Sequence, residues 1–535
     1  MSHAPLLLIG LDGVDFRYLD QFSEMLPQLG RLRDDGTETA LESTHPPWTA
    51  SAWPSLYTGL DPSHHGVFDF FDYAGTYPAE ATVVTRQDVH APAVWNYLTQ
   101  QELTSVVVNV PVTHPADEID GVQIPGYLAP DDEPGSPPEI REELEAELGV
   151  PYRIYSEFEN DDRADRKIEG YRALIERRGI AAAHLLESTE WDFAFVQVQK
   201  TDAVFHNSSS VEDFESIYRT ADELVGRLRE ACSEPTNIVV CSDHGMGPVT
   251  GSTIYINELL RKQGYIETTT GTTTRSISTV KGNDSAETDG DQLVDRAVSV
   301  GRTLGLGPER LYRIARRLTI ASQLRQFVPE SIEGSLTRDV DWRQSMAYCR
   351  RPSEQGIRIN LQERDPAGVV PADRYEPLRE EIIEQLSGLT TGCGEPLFEF
   401  VCRREDLYDG PYADHACDIL FRTAEMNHKI STSLPGETLQ PVETYNHKPT
   451  GVFVATGPDI NAEWTASSLS VVDVAPILFT LLEQPVPERL SGQAPSALTP
   501  LDTETRAYDD LTVETDAYTQ DQSEVTDRLR DLGYL

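Results

Sequence analysis

Basic residues are scarce in this chain: 44 Lys and Arg stand against 89 Asp and Glu, a formal net charge of −45 over 535 residues. Such a balance argues against a nucleic-acid partner, because a phosphate backbone would be repelled over most of the surface. The acid is scattered along the whole length, and Arg outnumbers Lys. That pattern matches a halophilic protein, in which strong salt screens the self-repulsion; the plain alternative is an acidic mesophilic protein. Cysteine is sparse as well: the six, at 232, 241, 349, 393, 402 and 417, form no Cys-x-x-Cys pair. Free thiols in a reducing compartment fit better than a disulfide frame or a cysteine metal site. No apolar run reaches membrane-spanning length, and Met1-Ser2-His3-Ala4-Pro5 puts no basic region ahead of the short run Leu6–Gly10. A cytoplasmic protein without a membrane partner is expected.

A hydrophobic share of 39% is sufficient for a packed core, and the length fits one large α/β domain with insertions. Short aliphatic runs alternate with helical spacing. Leu6–Leu11, Ser105–Val110, Phe193–Gln199 and Asn237–Cys241 read as buried strands; Tyr18–Asp34, Arg166–Ser188 and Val211–Cys232 read as helices. This order predicts a mainly parallel sheet sandwiched by helices, with ligands at the carboxyl ends of the strands. Residues 1–250 and 441–500 are assigned to that core, the chain returning through strand Gly451–Ala455 and helix Val471–Leu482. Residues 251–440 are less regular and are read as a cap, with a Thr- and Gly-rich loop at 268–290 and a basic helix at 308–326. The Pro- and acid-rich stretch 130–165 is a second candidate lid. The acidic tail 501–535 ends in a short helix at Glu524–Leu532.

Polar residues that can bind metal or phosphate fall where those strands end. Asp12 follows the first strand; alone it is as readily a turn or cap aspartate. Asp202 and His206, at i and i+4, share one helical face after the strand ending near Gln199, so an oxygen and an imidazole can share a cation. Asp243-His244-Gly245 follows another apolar strand, where an adjacent polar pair is a poor packing feature. His447 precedes the returning strand and means little alone. Thr49, after Pro46-Pro47-Trp48, opens a short helix whose free N–H groups suit phosphate; the plain alternative is an N-cap threonine. Together these residues make two mixed oxygen/imidazole sites. Ligands of that kind without thiolates suit Zn²⁺, or Mn²⁺, better than Mg²⁺.

The ordered motifs resemble the alkaline phosphatase superfamily, in the branch of type I phosphodiesterases/nucleotide pyrophosphatases and predicted phosphohydrolases or phosphomutases. They are the Asp12 segment, Thr49 ahead of Thr58-Gly59, Pro62-x-x-His65-Gly66, Asp202-x-x-x-His206, Ser242-Asp243-His244-Gly245 and the late His447. Asn109-Val110-Pro111-Val112-Thr113, Asp341-Trp342 and the terminal Leu532-Gly533-Tyr534-Leu535 also resemble this group, so the likeness spans nearly the whole chain. It implies a metal-dependent phosphoester hydrolase acting on a phosphorylated small molecule. One cation would take Asp12, Thr49, Asp243 and His244; the other would take Asp202, His206 and His447. Thr49 would be the nucleophile, carrying a phosphothreonine that water then releases.

One departure bears on substrate. The nucleotide phosphodiesterases of this group place an Asn shortly after His-Gly to bind a phosphate oxygen, whereas His65-Gly66-Val67-Phe68-Asp69 leads here to Phe70, which cannot donate. Asn109 or Lys448 is the expected substitute. A phosphomutase, a phosphomonoesterase or a phosphonate hydrolase of the same superfamily shares the same metal motifs. A non-catalytic acidic binding protein is the alternative of another class, and it would be expected to lack a ligand. A sulfatase is disfavoured, since residues 46–55 lack a Cys/Ser-x-Pro-x-Arg context.

Overall fold

A computed structural model describes residues 3–73, 77, 81–161, 163–232, 235–270, 338–508 and 511. The loop from 271 onward, the basic helix expected at 308–326 and the helix expected at Glu524–Leu532 lie outside the described residues.

The apolar runs form the strands they predict. They are β1 (Leu6–Leu11), β2 (Thr37–Glu42), β3 (Ser105–Val110), β4 (Gly121–Pro125), β5 (Phe193–Val198) and β6 (Asn237–Cys241). Later come β7 (Gly245–Val249), β8 (Thr444–Lys448), β9 (Thr450–Thr456) and β10 (Ser468–Ser470). The central eight-stranded sheet has the order β10-β2-β9-β6-β1-β5-β3-β4. Its pairings are parallel except that β9 runs antiparallel to both neighbours, β2 and β6. The fold is therefore α/β with a mainly parallel sheet covered by helices.

Side-chain alternation along β1 assigns the two faces. Leu6 and Leu8 pack with α3 (Thr49–Thr58) and α7 (Val474–Leu481). Leu7, Ile9 and Leu11 pack instead with α4 (Ala164–Ser188) and α6 (Val211–Ala231). All six residues of β1 are buried, which is why the run is continuously apolar rather than alternating. The single helix expected at Tyr18–Asp34 is divided into α1 (Phe16–Gln21) and α2 (Pro27–Asp35). Pro27 has no N–H to continue the first helix but suits the first turn of the second.

Residues 338–434 build a smaller antiparallel sheet, in the order Ala347–Tyr348, Gly356–Ile359, Ile419–Thr423 and Phe398–Arg403. The helix Ala372–Ser387 places Leu378, Ile382 and Leu386 in a core shared with Ile357, Ile419 and Phe421. The chain leaves the main sheet through β7 and re-enters through β8, and these two strands pair with each other, His447 opposite Met246. The stretch 130–165 is bound down rather than free. Arg141 donates to the carbonyls of Asp131, Glu133 and Tyr152, and Ile140 and Leu144 join the cluster beneath α4. Among the described residues no helix is long and apolar enough to cross a membrane.

Candidate metal centre

The carboxyl ends of β1, β5 and β6 lie side by side, and each delivers a carboxylate: Asp12 after β1, Asp202 after β5 and Asp243 after β6. A late segment reaches the same edge because β9 is reversed. Its amino end lies where its neighbours' carboxyl ends lie, so His447, three residues ahead of Thr450, enters from there. Gly13 makes this convergence possible. It turns with φ +66°, and a Cβ there would meet Asp202 Cβ at 3.0 Å.

Thr49 is the first residue of α3, and the N-cap is Trp48, which makes no side-chain capping bond. The hydroxyl of Thr49 is thus not used as a cap. It donates to Asp12 Oδ1 at 3.3 Å and stands 3.4 Å from His244 Nε2. Asp202 and His206 lie on α5 (Lys200–Asn207), with Oδ2 and Nε2 3.3 Å apart. His447 Nε2 is 3.5 Å from Asp202 Oδ1 and 3.2 Å from His206 Nε2. His244 Nε2 is 3.3 Å from Asp243 Oδ2 and 3.5 Å from Asp12 Oδ1. All seven predicted ligands therefore meet at one place.

Two groups, Asp202–His206–His447 and Asp12–Asp202–His244, have ligand atoms within 4.8 Å of one another. The first is the set the resemblance implies for one cation. The second contains Asp202 where the resemblance has Thr49 and Asp243, so Asp202 stands between the two groups.

The electrostatics call for a cation. Burial, reinforced by Asp202, holds the Asp12 carboxyl well above its ordinary range. Burial also raises Asp243, and the charges of Asp12 and Asp202 add to the effect. Burial works against Asp202 too, but His206 and, behind it, His447 outweigh it and hold this carboxyl below the usual range. Among the described residues, both Asp202 oxygens and Asp243 Oδ2 are buried and face only imidazoles, at 3.3–3.5 Å. Buried carboxylates crowded together are costly, and a cation lowers that cost. Burial depresses His244, and burial with the neighbouring His244 depresses His447, so both imidazoles are neutral. His447 Nδ1 lies 2.9 Å from the Pro47 carbonyl and His244 Nδ1 3.0 Å from the Gly245 carbonyl. In each, an N–H on Nδ1 leaves the Nε2 lone pair facing the cluster, the form a metal requires. The residues fit bound divalent cations.

Sequence reasoning missed two supporting residues. Gln197 Nε2 and Trp53 Nε1 donate to Asp12 Oδ2 at 2.8 and 2.9 Å, which leaves Oδ1 aimed at Thr49 and His244. Trp53 lies four residues beyond Thr49, on the same face of α3, and that spacing was the available signal. Gly10 makes room for it, since a Cβ there would stand 2.5 Å from the indole ring.

The two expected phosphate donors are engaged within the protein in this structure. Asn109 gives its amide N–H to the Pro125 carbonyl at 3.0 Å, and its side-chain oxygen accepts from Tyr152. Lys448 donates to the Met426 and Glu425 carbonyls at 2.9 and 3.3 Å; burial, helped by Arg17, brings its ammonium down to about 8. Both side chains serve backbone carbonyls of other segments, which sequence spacing does not reveal. Phe70 is fully buried and meets the Tyr127 ring edge-on at 6.4 Å.

A family model described as type I phosphodiesterase / nucleotide pyrophosphatase matches residues 6–434. Among solved structures, phosphonoacetate hydrolase from Sinorhizobium meliloti 1021 in complex with phosphonoacetate aligns with TM-score 0.53 and 16% identity, over 90% of this chain and 96% of that one. Human ectonucleotide pyrophosphatase / phosphodiesterase 5 aligns with TM-score 0.49 and 14% identity, over 91% and 97%. No curated protein sequence matches.

Proposed function

The chain belongs to the type I phosphodiesterase/nucleotide pyrophosphatase family, a family of phosphoester hydrolases, and from that premise we propose that it cleaves phosphodiesters through a Thr49 nucleophile. Two divalent cations, Zn²⁺ or in its place Mn²⁺, would be held by Asp12, Thr49, Asp243 and His244 and by Asp202, His206 and His447. The observation that carries this reading is the Thr49 hydroxyl itself. It is buried, free of capping duty, and 3.3 Å and 3.4 Å from two of the proposed ligands.

When bound, such cations polarise the phosphoryl group and favour ionised oxygen at neutral pH. The first turn of α3 adds a positive dipole end beneath Thr49 Oγ1 as negative charge develops there. Oγ1 loses its proton and forms a bond to phosphorus while the bond from phosphorus to the leaving alcohol breaks. The alcohol departs with a proton, leaving a phosphothreonine. Water then attacks phosphorus, the bond to Oγ1 breaks, and the threonine hydroxyl is restored as the phosphomonoester leaves. We read residues 251–440 as the cap that selects the alcohol, and the acidic surface as an adaptation to a salt-rich cytoplasm.

The test is turnover of bis-p-nitrophenyl and mono-p-nitrophenyl phosphate by protein loaded with Zn²⁺ or Mn²⁺. The diester should be preferred, and Thr49→Ala should lose at least about a thousandfold in rate. Equal activity in Thr49→Ala would refute the nucleophile assignment. Absence of bound metal by elemental analysis would refute the metal assignment.

A further inference from the structure

A cavity of about 270 Å³ opens beside the metal ligand His206. The main sheet's side contributes Trp48, Phe205 and Tyr445 to its wall, and the smaller sheet's side contributes Ser353, Gln355 and His428. Among the described residues the lining contains no Asp, Glu or Arg; apart from imidazoles and the Tyr445 phenol, Lys429 is its one titratable group. In a chain with 89 acidic residues, a carboxylate-free wall next to a metal cluster is a distinct chemical environment. A larger cavity of about 620 Å³ contrasts with it. That one is lined by Arg350, Arg358, Arg364 and Arg404 together with carboxylates, and it touches none of the metal ligands.

Gln355 is the unusual residue in the smaller wall. It is 5% exposed, and its backbone is left-handed, with φ 42° and ψ 44°, a region that a residue with a Cβ seldom occupies. Its backbone carbonyl accepts from Phe421 at 2.9 Å, which fixes the residue to the smaller sheet. Its side-chain oxygen is buried with no hydrogen-bond partner among the described residues. Backbone strain and an unpartnered side-chain oxygen at one position are each unfavourable to folding. Their coincidence on a cavity wall beside a metal ligand is what a ligand-reading residue produces.

We infer that this cavity seats the uncharged, hydroxyl-bearing alcohol of a phosphodiester, of the glycerol or polyol kind, and that the Gln355 amide hydrogen-bonds its hydroxyls. An amide carries a donor and an acceptor side by side. A hydroxyl answers both, whereas a second phosphate only accepts. The near-neutral wall also lacks the Arg fork that a second phosphate selects. Trp48, Phe205 and Tyr445 give the carbon skeleton apolar surface to lie against. This inference rests on the phosphodiesterase reading above.

The test uses metal-loaded protein and p-nitrophenyl phosphodiesters whose second ester is methyl, glyceryl or choline. Wild type should prefer glyceryl over methyl by about tenfold or more in kcat/KM, the effect of one or two hydrogen bonds. Gln355→Gly, which suits the left-handed backbone but lacks the amide, should reduce that preference to below about threefold. Gln355→Asn, which keeps an amide and tolerates that backbone, should restore part of it. Equal rates on glyceryl and methyl esters, or an undiminished preference in Gln355→Gly, would overturn the inference. So would a preference for choline over glyceryl, which would assign the aromatic wall to a cation. Failure of wild type to cleave any of the three diesters would instead refute the underlying phosphodiesterase reading.

Discussion

Replacing Gln197 with Leu isolates the support beneath Asp12. Gln197 Nε2 and Trp53 Nε1 hold Asp12 Oδ2 at 2.8 and 2.9 Å, so the carboxylate can turn only by breaking both bonds. Each is a bond to a charged group, worth about 1.5–3 kcal/mol, or roughly one to two powers of ten in an equilibrium constant. Folding stability should fall far less, because the Gln197 side-chain oxygen is itself buried without a partner and leaves with the amide. Leucine fills a similar volume in that interior. The variant should therefore bind Zn²⁺ about 10–100-fold more weakly while its urea midpoint stays close to that of wild type. Competition of stripped protein against a chromophoric chelator measures the first quantity, and urea denaturation of the same preparations measures the second. A pH signature accompanies the loss. With one fewer donor, the Asp12 carboxyl rises further, so affinity falls more steeply as pH drops and recovers as pH rises. Unchanged affinity with an unchanged pH profile would refute the claim that these bonds aim Asp12 at the metal.

Stripping the metal with a chelator should lower the melting temperature by several degrees, and Zn²⁺ should restore it, since metal at a thousand times its Kd adds about 4 kcal/mol to the folded state. An unchanged melting temperature would contradict the fit between cluster and cation. Burial holds the imidazoles of His45 and His65 down at about 3. From about pH 6.5 down to 3 the unfolded chain takes up protons that the folded chain refuses, so stability falls as pH falls. The loss is about 1.4 kcal/mol per pH unit for each histidine. The free-energy difference between wild type and His65→Gln should change by that slope between pH 6 and 4 in urea titrations, and parallel curves would refute it. Raising KCl from 0.1 to 2 M should raise the urea midpoint, as the screening length shrinks from about 10 Å to below 3 Å; a flat response would refute the salt-adapted reading.

The sequence is most legible where one physical cause dominates. Strands β1, β3 and β6 begin and end where their aliphatic runs do, because burial on both faces favours apolar side chains throughout; Asn109 inside β3 is the polar exception, hydrogen-bonded to Pro125 and Tyr152. The candidate metal residues are legible for the converse reason: polar side chains directly after such runs have no packing role. What spacing cannot supply is contact across the chain. His447 is held by the carbonyl of Pro47, 400 residues away, and Asp12 by Gln197, 185 residues away. The contacts of Asn109 and Lys448 are hidden for the same reason, since each bonds a backbone carbonyl of another segment. The reversal of β9 is equally hidden, since an aliphatic strand reads alike in either direction.

That reversal and Trp48 together explain how the two sheets act on one site. Because β9 is antiparallel, the chain can leave after His244, build the smaller sheet, and return at the same edge with His447. The insertion therefore begins and ends on proposed metal ligands, and its neck is the β7–β8 pair. Trp48 makes a second connection. Its ring lies 4.3 Å from that of His447, its indole N–H donates to the Ser353 carbonyl in the smaller sheet, and its peptide bond leads directly into Thr49. Ser353 in turn donates to Asp69 at 3.0 Å, a carboxyl that burial and Glu354 raise to about 6. Trp48 thus joins the smaller sheet directly to the start of the helix that carries the proposed nucleophile, Thr49. Ser353 and Gln355 lie on the same short turn, residues 352–355, so the residue that holds Trp48 and the residue that lines the cavity share one element.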